Sequence, residues 1–329
     1  MRELRRTITT PMAAAVSVAV LTACTGLVGQ DAADYPQEDI EFLVGVSPGG
    51  DYDTWARILA PHLEEALPDN VTVIVDNVPG AGGLRAANTL AAAEPDGYVF
   101  GITNTMGLTA AYATGQTDFE VPDLTWLASI SQEPMAVLVS PDAGYETIDD
   151  LAADGTPRAA ITGMGASTGI GAALVANTYG FDWDAVTHDG GADASLSVVR
   201  GDSDFMIDSV FSRSGEIEAG DLVPILNLSD QTEGPGLADV ESAAEQGEDE
   251  LVGALRFSRD LAAPPDLPDE VHQTLTTALE EALASAELEE QVEEAALELS
   301  PLDSGEATAQ VEEMVAIYEE VEHMLEIDE

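Results

Sequence analysis

Lysine is absent from this 329-residue chain, and its ten basic residues, all arginine, face 63 aspartates and glutamates. A formal charge of −53 excludes a nucleic-acid partner, because phosphate binding depends on clustered Lys and Arg. The missing lysine also excludes a Walker A loop. Cysteine is limited to Cys24, so no disulfide can staple the fold. Zinc has no ligand set either: His62, His188, His272 and His323 are widely separated. No twelve-residue loop of the calcium-binding kind is present, and no cofactor or metal is expected. The longest N-terminal apolar run, Pro11 to Ala23, is too short to span a bilayer.

What is present is a normal core under an acidic coat. Apolar residues make up 45% of the chain, which is not a disordered composition, and the length suits two domains of ordinary size. The acids are scattered rather than gathered in a tail, and such a surface resembles that of proteins from extreme halophiles. At about 1 M salt the Debye length is about 3 Å, so self-repulsion is screened. Stability is expected to fall as molar salt is withdrawn.

The N-terminus reads as an export address. Arg2, Arg5 and Arg6 precede the apolar run, and Leu21-Thr22-Ala23-Cys24 resembles a lipoprotein box. Residues 1–23 are expected to be a signal peptide, Cys24 the lipid attachment point, and residues 24–34 a tether of small and polar residues. The arginine pair leaves a twin-arginine export route open. The expected location is extracytoplasmic, anchored on the outer face of the cytoplasmic membrane.

The stretch that organises the folded part is Ser47 to Arg57. Ile40, Phe42, Val44 and Val46 alternate as in a strand, two glycines follow, and Trp55, Ile58, Leu59 and Leu63 recur at helical spacing. A helix start carries unpaired N–H groups and favours negative charge, and Gly49 and Gly50 let a ligand approach the backbone. The plainer reading is a turn in which Asp51 or Asp53 caps the helix. Strands at 71–75 and 98–102 and a small-residue helix at about 84–93 continue the alternation. The pattern predicts α/β layers with a largely parallel sheet and ligands beyond the strand ends, where Asn104 and Thr105 fall. A second strand-turn-helix unit runs from Ala159 through Thr162 to Gly169 and on to about Tyr179.

Three motifs in order carry a family resemblance: Pro-Gly-Gly-x-x-Asp-x-x-Ala-Arg at 48–57, Asn77-Val-Pro-Gly-Ala-Gly-Gly83, and Pro95-Asp-Gly-Tyr98. With Arg200 to Ser209, Ile217-Glu-Ala-Gly220 and Pro264-Pro265, they resemble the substrate-binding proteins of tripartite tricarboxylate transporters, the Bug family, from Tyr35 onward. The resemblance implies a two-lobed periplasmic-binding-protein fold of type II, each lobe a mixed, largely parallel sheet flanked by helices. Lobe 1 would comprise residues 35–130 and 251–329, and lobe 2 residues 131–250. Amphipathic stripes at Val271, Leu275, Leu279, Ala282 and Leu283, and at Met314, Val315, Tyr318, Val321 and Leu325, are expected to pack on lobe 1.

The implied function is capture of a small organic acid or related solute in the interlobe cleft and its delivery, as a monomer, to integral membrane transporter subunits. By resemblance, Ser47, Gly49, Gly50, Asp53, Asn104 and Thr105 would line one side, and Met164, Gly165, Ala166, Ser167, Thr168 and Asp208 the other. Val46 stands where the family has an aromatic residue, and His188-Asp189-Gly190 where it has Tyr-Lys-Gly, so the ligand does not follow from the family. The rival reading is a serine hydrolase, since Gly165-Ala-Ser167-Thr-Gly169 fits G-x-S-x-G, with Asp208 and His272 in suitable order. Against it, about five residues separate Ile161 from Ser167, whereas an elbow serine sits at the strand tip. A dinucleotide site is weaker still, because the glycine spacing at 163–169 is one residue off. Trp55, Trp126 and Trp183 are expected in the core.

Overall fold

The computed structural model describes residues 35–68 and 71–325, so the export segment, Cys24 and the tether lie outside the described residues. In chain order the elements are β1 (Ile40–Val44), α1 (Asp51–Ala66), β2 (Val73–Asn77), α2 (Leu84–Ala91), β3 (Val99–Asn104), α3 (Thr105–Ala113) and β4 (Thr125–Glu133). Then come β5 (Met135–Val139), α4 (Ile148–Ala153), β6 (Arg158–Ile161), α5 (Ser167–Tyr179), β7 (Asp184–Thr187), α6 (Gly191–Val199), β8 (Phe205–Ser209), α7 (Ser214–Ala219) and β9 (Val223–Asn227). The chain ends with α8 (Asp249–Ala254), β10 (Phe257–Ala263), α9 (Asp269–Leu283), α10 (Ala286–Glu294) and α11 (Ser304–Leu325).

Two five-stranded mixed sheets result, in the orders β2-β1-β3-β10-β4 and β7-β6-β8-β5-β9. In each, the first strand of the strand-turn-helix unit, β1 or β6, lies between two parallel neighbours, and the fourth strand in the order, β10 or β5, is antiparallel to the rest. β1 is therefore apolar on both faces: four of its five residues are buried, and the expected alternation to Val46 gives way to a strand that stops at Val44. α3 follows β3 without a loop. Sequence periodicity misses it because it has no polar face; Thr105 through Ala111 are all buried.

Sheet membership changes at Pro134, between β4 and β5, and again between β9 and β10. α9 buries Val271, Leu275 and Leu279 in the same cluster as Trp55 of α1 and Leu127 of β4, as its stripe predicts. α11 corrects the expectation that the first lobe covers both helices. Its Val311 and Val315 join Trp126 and Leu43, but Met314, Tyr318 and Val321 join Val137 and Ile207 of the second sheet. One helix is long enough to cover both, and Tyr318 fixes it by donating to the Ala254 carbonyl at 2.8 Å.

Candidate ligand-binding site

The loops after β1 and β6 are the two candidate jaws, and each is shaped by glycine. Gly49 has φ +93°, a conformation other side chains rarely adopt. Its N–H donates to Asp53 Oδ2 at 2.8 Å, and the same oxygen accepts from Arg57 Nε at 2.9 Å. Asp53 Oδ1 accepts from Asn77 Nδ2 at 3.0 Å, and that amide also donates to the Val46 carbonyl. Asp53 is only 3% exposed, and Arg57, with the Gly49 and Asn77 donors, holds its carboxyl down to about 2. Asp53 thus shapes this loop rather than facing a solute. Gly50, by contrast, has φ −84°, and a Cβ there would meet Val46 at 3.5 Å and the Ser47 carbonyl oxygen at 3.7 Å, both ordinary contacts.

The β6–α5 loop is wound tighter. A Cβ on Gly169 would stand 2.3 Å from the Gly163 carbonyl oxygen and 2.8 Å from Met164 Cα, so the loop lies directly on the first turn of α5. Thr168 Oγ1 accepts from the Thr162 N–H at 2.9 Å and pairs with the Thr162 hydroxyl at 3.1 Å. α5 starts after Ala166 with no side-chain cap and no acid in its first turn. Met164 and Gly165 are exposed, and Ser167 is half-buried.

The β6–α5 loop comes close to the β2–α2 turn and to α3. A Cβ on Gly82 or on Gly107 would each lie 3.6 Å from the Gly165 carbonyl oxygen. Beside this contact is a cavity of about 860 Å³, lined from the first sheet's side by Ala81, Gly82 and α3, and from the second by residues 162–166, α5 and Trp183. Trp183 is therefore half-buried at a cavity wall, whereas Trp55 and Trp126 are core residues as expected. A smaller void of about 70 Å³ behind Gly82 is lined by Val46, Tyr52 and Asn104 among others.

Of the remaining candidates, Ser47 and Gly50 lie at the first loop, Ser47 exposed. Asn104 caps α3, its Oδ1 accepting from the Gly107 N–H at 3.2 Å. Thr105 is fully buried and bonds to Asp260 and Thr103. Asp208 is ion-paired with Arg213 at 3.1 Å, and burial pushes its carboxyl above the usual range. The hydrolase constellation is not assembled: Asp208 holds Arg213, and His272 Nε2 shares a hydrogen bond with Ser304 at 3.0 Å.

Sequence reasoning missed the arginines. Arg213, 12% exposed, lies against Gly191 at the start of α6 and pairs with Asp208 and Glu216. Arg259, 1% exposed, bonds Glu133 and the Ser131 hydroxyl and lies over the rings of Tyr52 and Phe257. Glu133 also accepts from Ser209 of the second sheet, and Ser212 donates to Asp51 at 3.3 Å. These contacts tie α1 and β10 to the end of β8, next to the chain crossing at Pro134. The signal was rarity: among the few described arginines, Arg57, Arg213 and Arg259 pair with the buried carboxylates Asp53, Asp208 and Glu133.

The family described as "Tripartite tricarboxylate transporter family receptor" matches residues 55–322. Protein BugT of Bordetella pertussis is 25% identical over 281 residues, spanning 82% of this chain and 83% of BugT. Among solved structures, MatC from Rhodopseudomonas palustris with bound malate has a TM-score of 0.73 at 21% identity, covering 88% of this chain and 100% of that one. An R. palustris protein with adipate has a TM-score of 0.72 at 22% identity, covering 89% and 98%. These structures establish the periplasmic-binding-protein fold.

Proposed function

The chain belongs to the tripartite tricarboxylate transporter receptor family, and from that premise we propose that it captures a small carboxylate-bearing solute in the interlobe cleft beside the β6–α5 loop and delivers it to integral membrane subunits. The observation that carries this reading is the 860 Å³ cavity walled by both sheets and opening at the uncapped, acid-free start of α5. N–H groups at such a helix start, with the Ser167 hydroxyl, suit a carboxylate without a cation. Ligand favours the closed form only through contacts with both lobes. The proposed lobes, 35–130 with 251–329 against 131–250, are supported by the changes of sheet membership. No bond is made or broken in this reading.

The lipid anchor at Cys24 and the monomeric state are part of the same proposal. Cys24→Ser should move the protein from the membrane fraction to the soluble one; unchanged partition would remove the anchor. For the receptor itself, the test is thermal melting of residues 31–329 in about 2 M salt, a level chosen for short-range screening, against carboxylates, amino acids, amides and esters. A ligand at 100 times its Kd adds about 2.7 kcal/mol. Stabilisation by carboxylates without turnover supports the receptor; ester cleavage lost in Ser167→Ala would replace it with a hydrolase. Repeating the melts at falling salt tests the halophilic surface, whose signature is a dropping midpoint.

A further inference from the structure

The composition of the cavity wall bears on what the rest of the ligand is. Apart from the β6–α5 loop, most of the wall is made by small and apolar groups, with Leu84, Ala110, Ala111, Ile170, Ala173 and Trp183 among them, and Met164, 38% exposed, adds a flexible thioether. The polar side chains are Thr114, Gln116, Thr162 and Asp184. Asp184 is the one ionisable group, and it is an acid. None of the arginines among the described residues lines the cavity. Arg57, Arg158, Arg213, Arg256 and Arg259 are each committed to a carboxylate elsewhere.

A dicarboxylate seated at α5 would therefore have to bring its second charge into a wall that offers no cation and one like charge. Removing that charge from water without a partner is costly. A ligand whose far end is apolar gains instead, by about fourfold in affinity for each methylene buried. Resting on the receptor reading above, we infer that this protein selects monocarboxylates with an uncharged, largely apolar arm, aryl or medium-chain alkyl, which lies against Trp183 and Met164.

The test compares acids matched in length. In about 2 M NaCl, chosen for screening, hexanoate, 3-phenylpropionate, adipate, malate and acetate are titrated while melting temperature and tryptophan fluorescence are followed. Trp55 and Trp126 are fully buried, so a fluorescence response reports Trp183. The expected result is that hexanoate and 3-phenylpropionate bind at least tenfold more tightly than adipate. Trp183→Ala should weaken 3-phenylpropionate at least fivefold and leave acetate within twofold. Met164→Ser, an exposed loop change that spares the core, should act in the same direction by about twofold. Adipate or malate binding as tightly as hexanoate would overturn the inference and leave the carboxylate receptor standing. If none of the five acids moves either signal, the receptor reading falls and takes the inference with it.

Discussion

The two sheets are wired alike and their jaws are built differently. In each sheet the first strand of a strand-turn-helix unit sits between two parallel neighbours, and a glycine loop leads from it to a helix start. At α1 the positive end of the helix dipole already has acids in its first turn, Asp51 and Asp53, and the Gly49 N–H is spent on Asp53. At α5 the corresponding end has neither acid nor cap, and its loop is held by a threonine hydroxyl. The same topology therefore gives one jaw braced by a carboxylate and one whose helix start carries no acid. In a chain of −53, only α2, α3 and α5 among the described helices start without an acid, and all three contribute residues to the cavity wall.

The comparison breaks most directly at Gly169. Gly169→Ala must push the Gly163 and Met164 backbone away, and the expected outcome is a loss of carboxylate affinity of at least a hundredfold with a melting midpoint lower by several degrees. Gly50→Val is the counterpart, placed where φ is ordinary and the Cβ has room; its fold should persist and its affinity fall about tenfold. If titration shows Gly50→Val to be the more damaging, the α1 jaw is the principal seat and the asymmetry is reversed.

Ser167→Asp puts into α5 what α1 already has. An acid in the first turn should stabilise the helix by about 0.3–1 kcal/mol while excluding a carboxylate ligand. A raised melting midpoint together with at least tenfold weaker binding is expected. Unchanged binding would move the anion away from the α5 start.

The smallest effect belongs to the braced jaw. Asp53 titrates at about 2 in the folded chain because Arg57, and then the Gly49 and Asn77 donors, favour its charged form. Since the folded value lies below the ordinary carboxylate value of about 3.9, this stabilisation is present above about pH 4 and is lost as pH falls through about 2. Asp53→Asn should cost about 1–2 kcal/mol at neutral pH, reduced because Arg57 is half exposed, and should flatten that part of the acid limb. An unaltered acid limb in urea titrations at successive pH values would mean that Asp53 does not brace the loop.

How much was legible beforehand varies with the range of the interaction. Strand, turn and helix around Gly49 and around Gly163 could be read locally, because glycine placement and apolar spacing are properties of ten or so consecutive residues. α3 could not, since a helix buried all round shows no period. The shared cover provided by α11 was equally hidden: one stripe of apolar residues does not say how many clusters it serves. Asp53 and Thr105 fall in the first turns of α1 and α3, but what their side chains hold depends on Arg57, Asn77 and Asp260. Arg213 and Arg259 gave no local motif at all.

By itself the sequence determined the alternation of strands and helices, the glycine loops, the acidic exterior and the candidate export signal, each of which follows from composition or short-range spacing. Tertiary structure decided which carboxylate each described cation meets. Arg259 and Glu133 are 126 residues apart, and their pairing is made only when β10 enters the sheet beside β4. A buried charge is tolerable only beside its partner, and for Arg259 that partner is brought by the fold rather than by its neighbours in sequence.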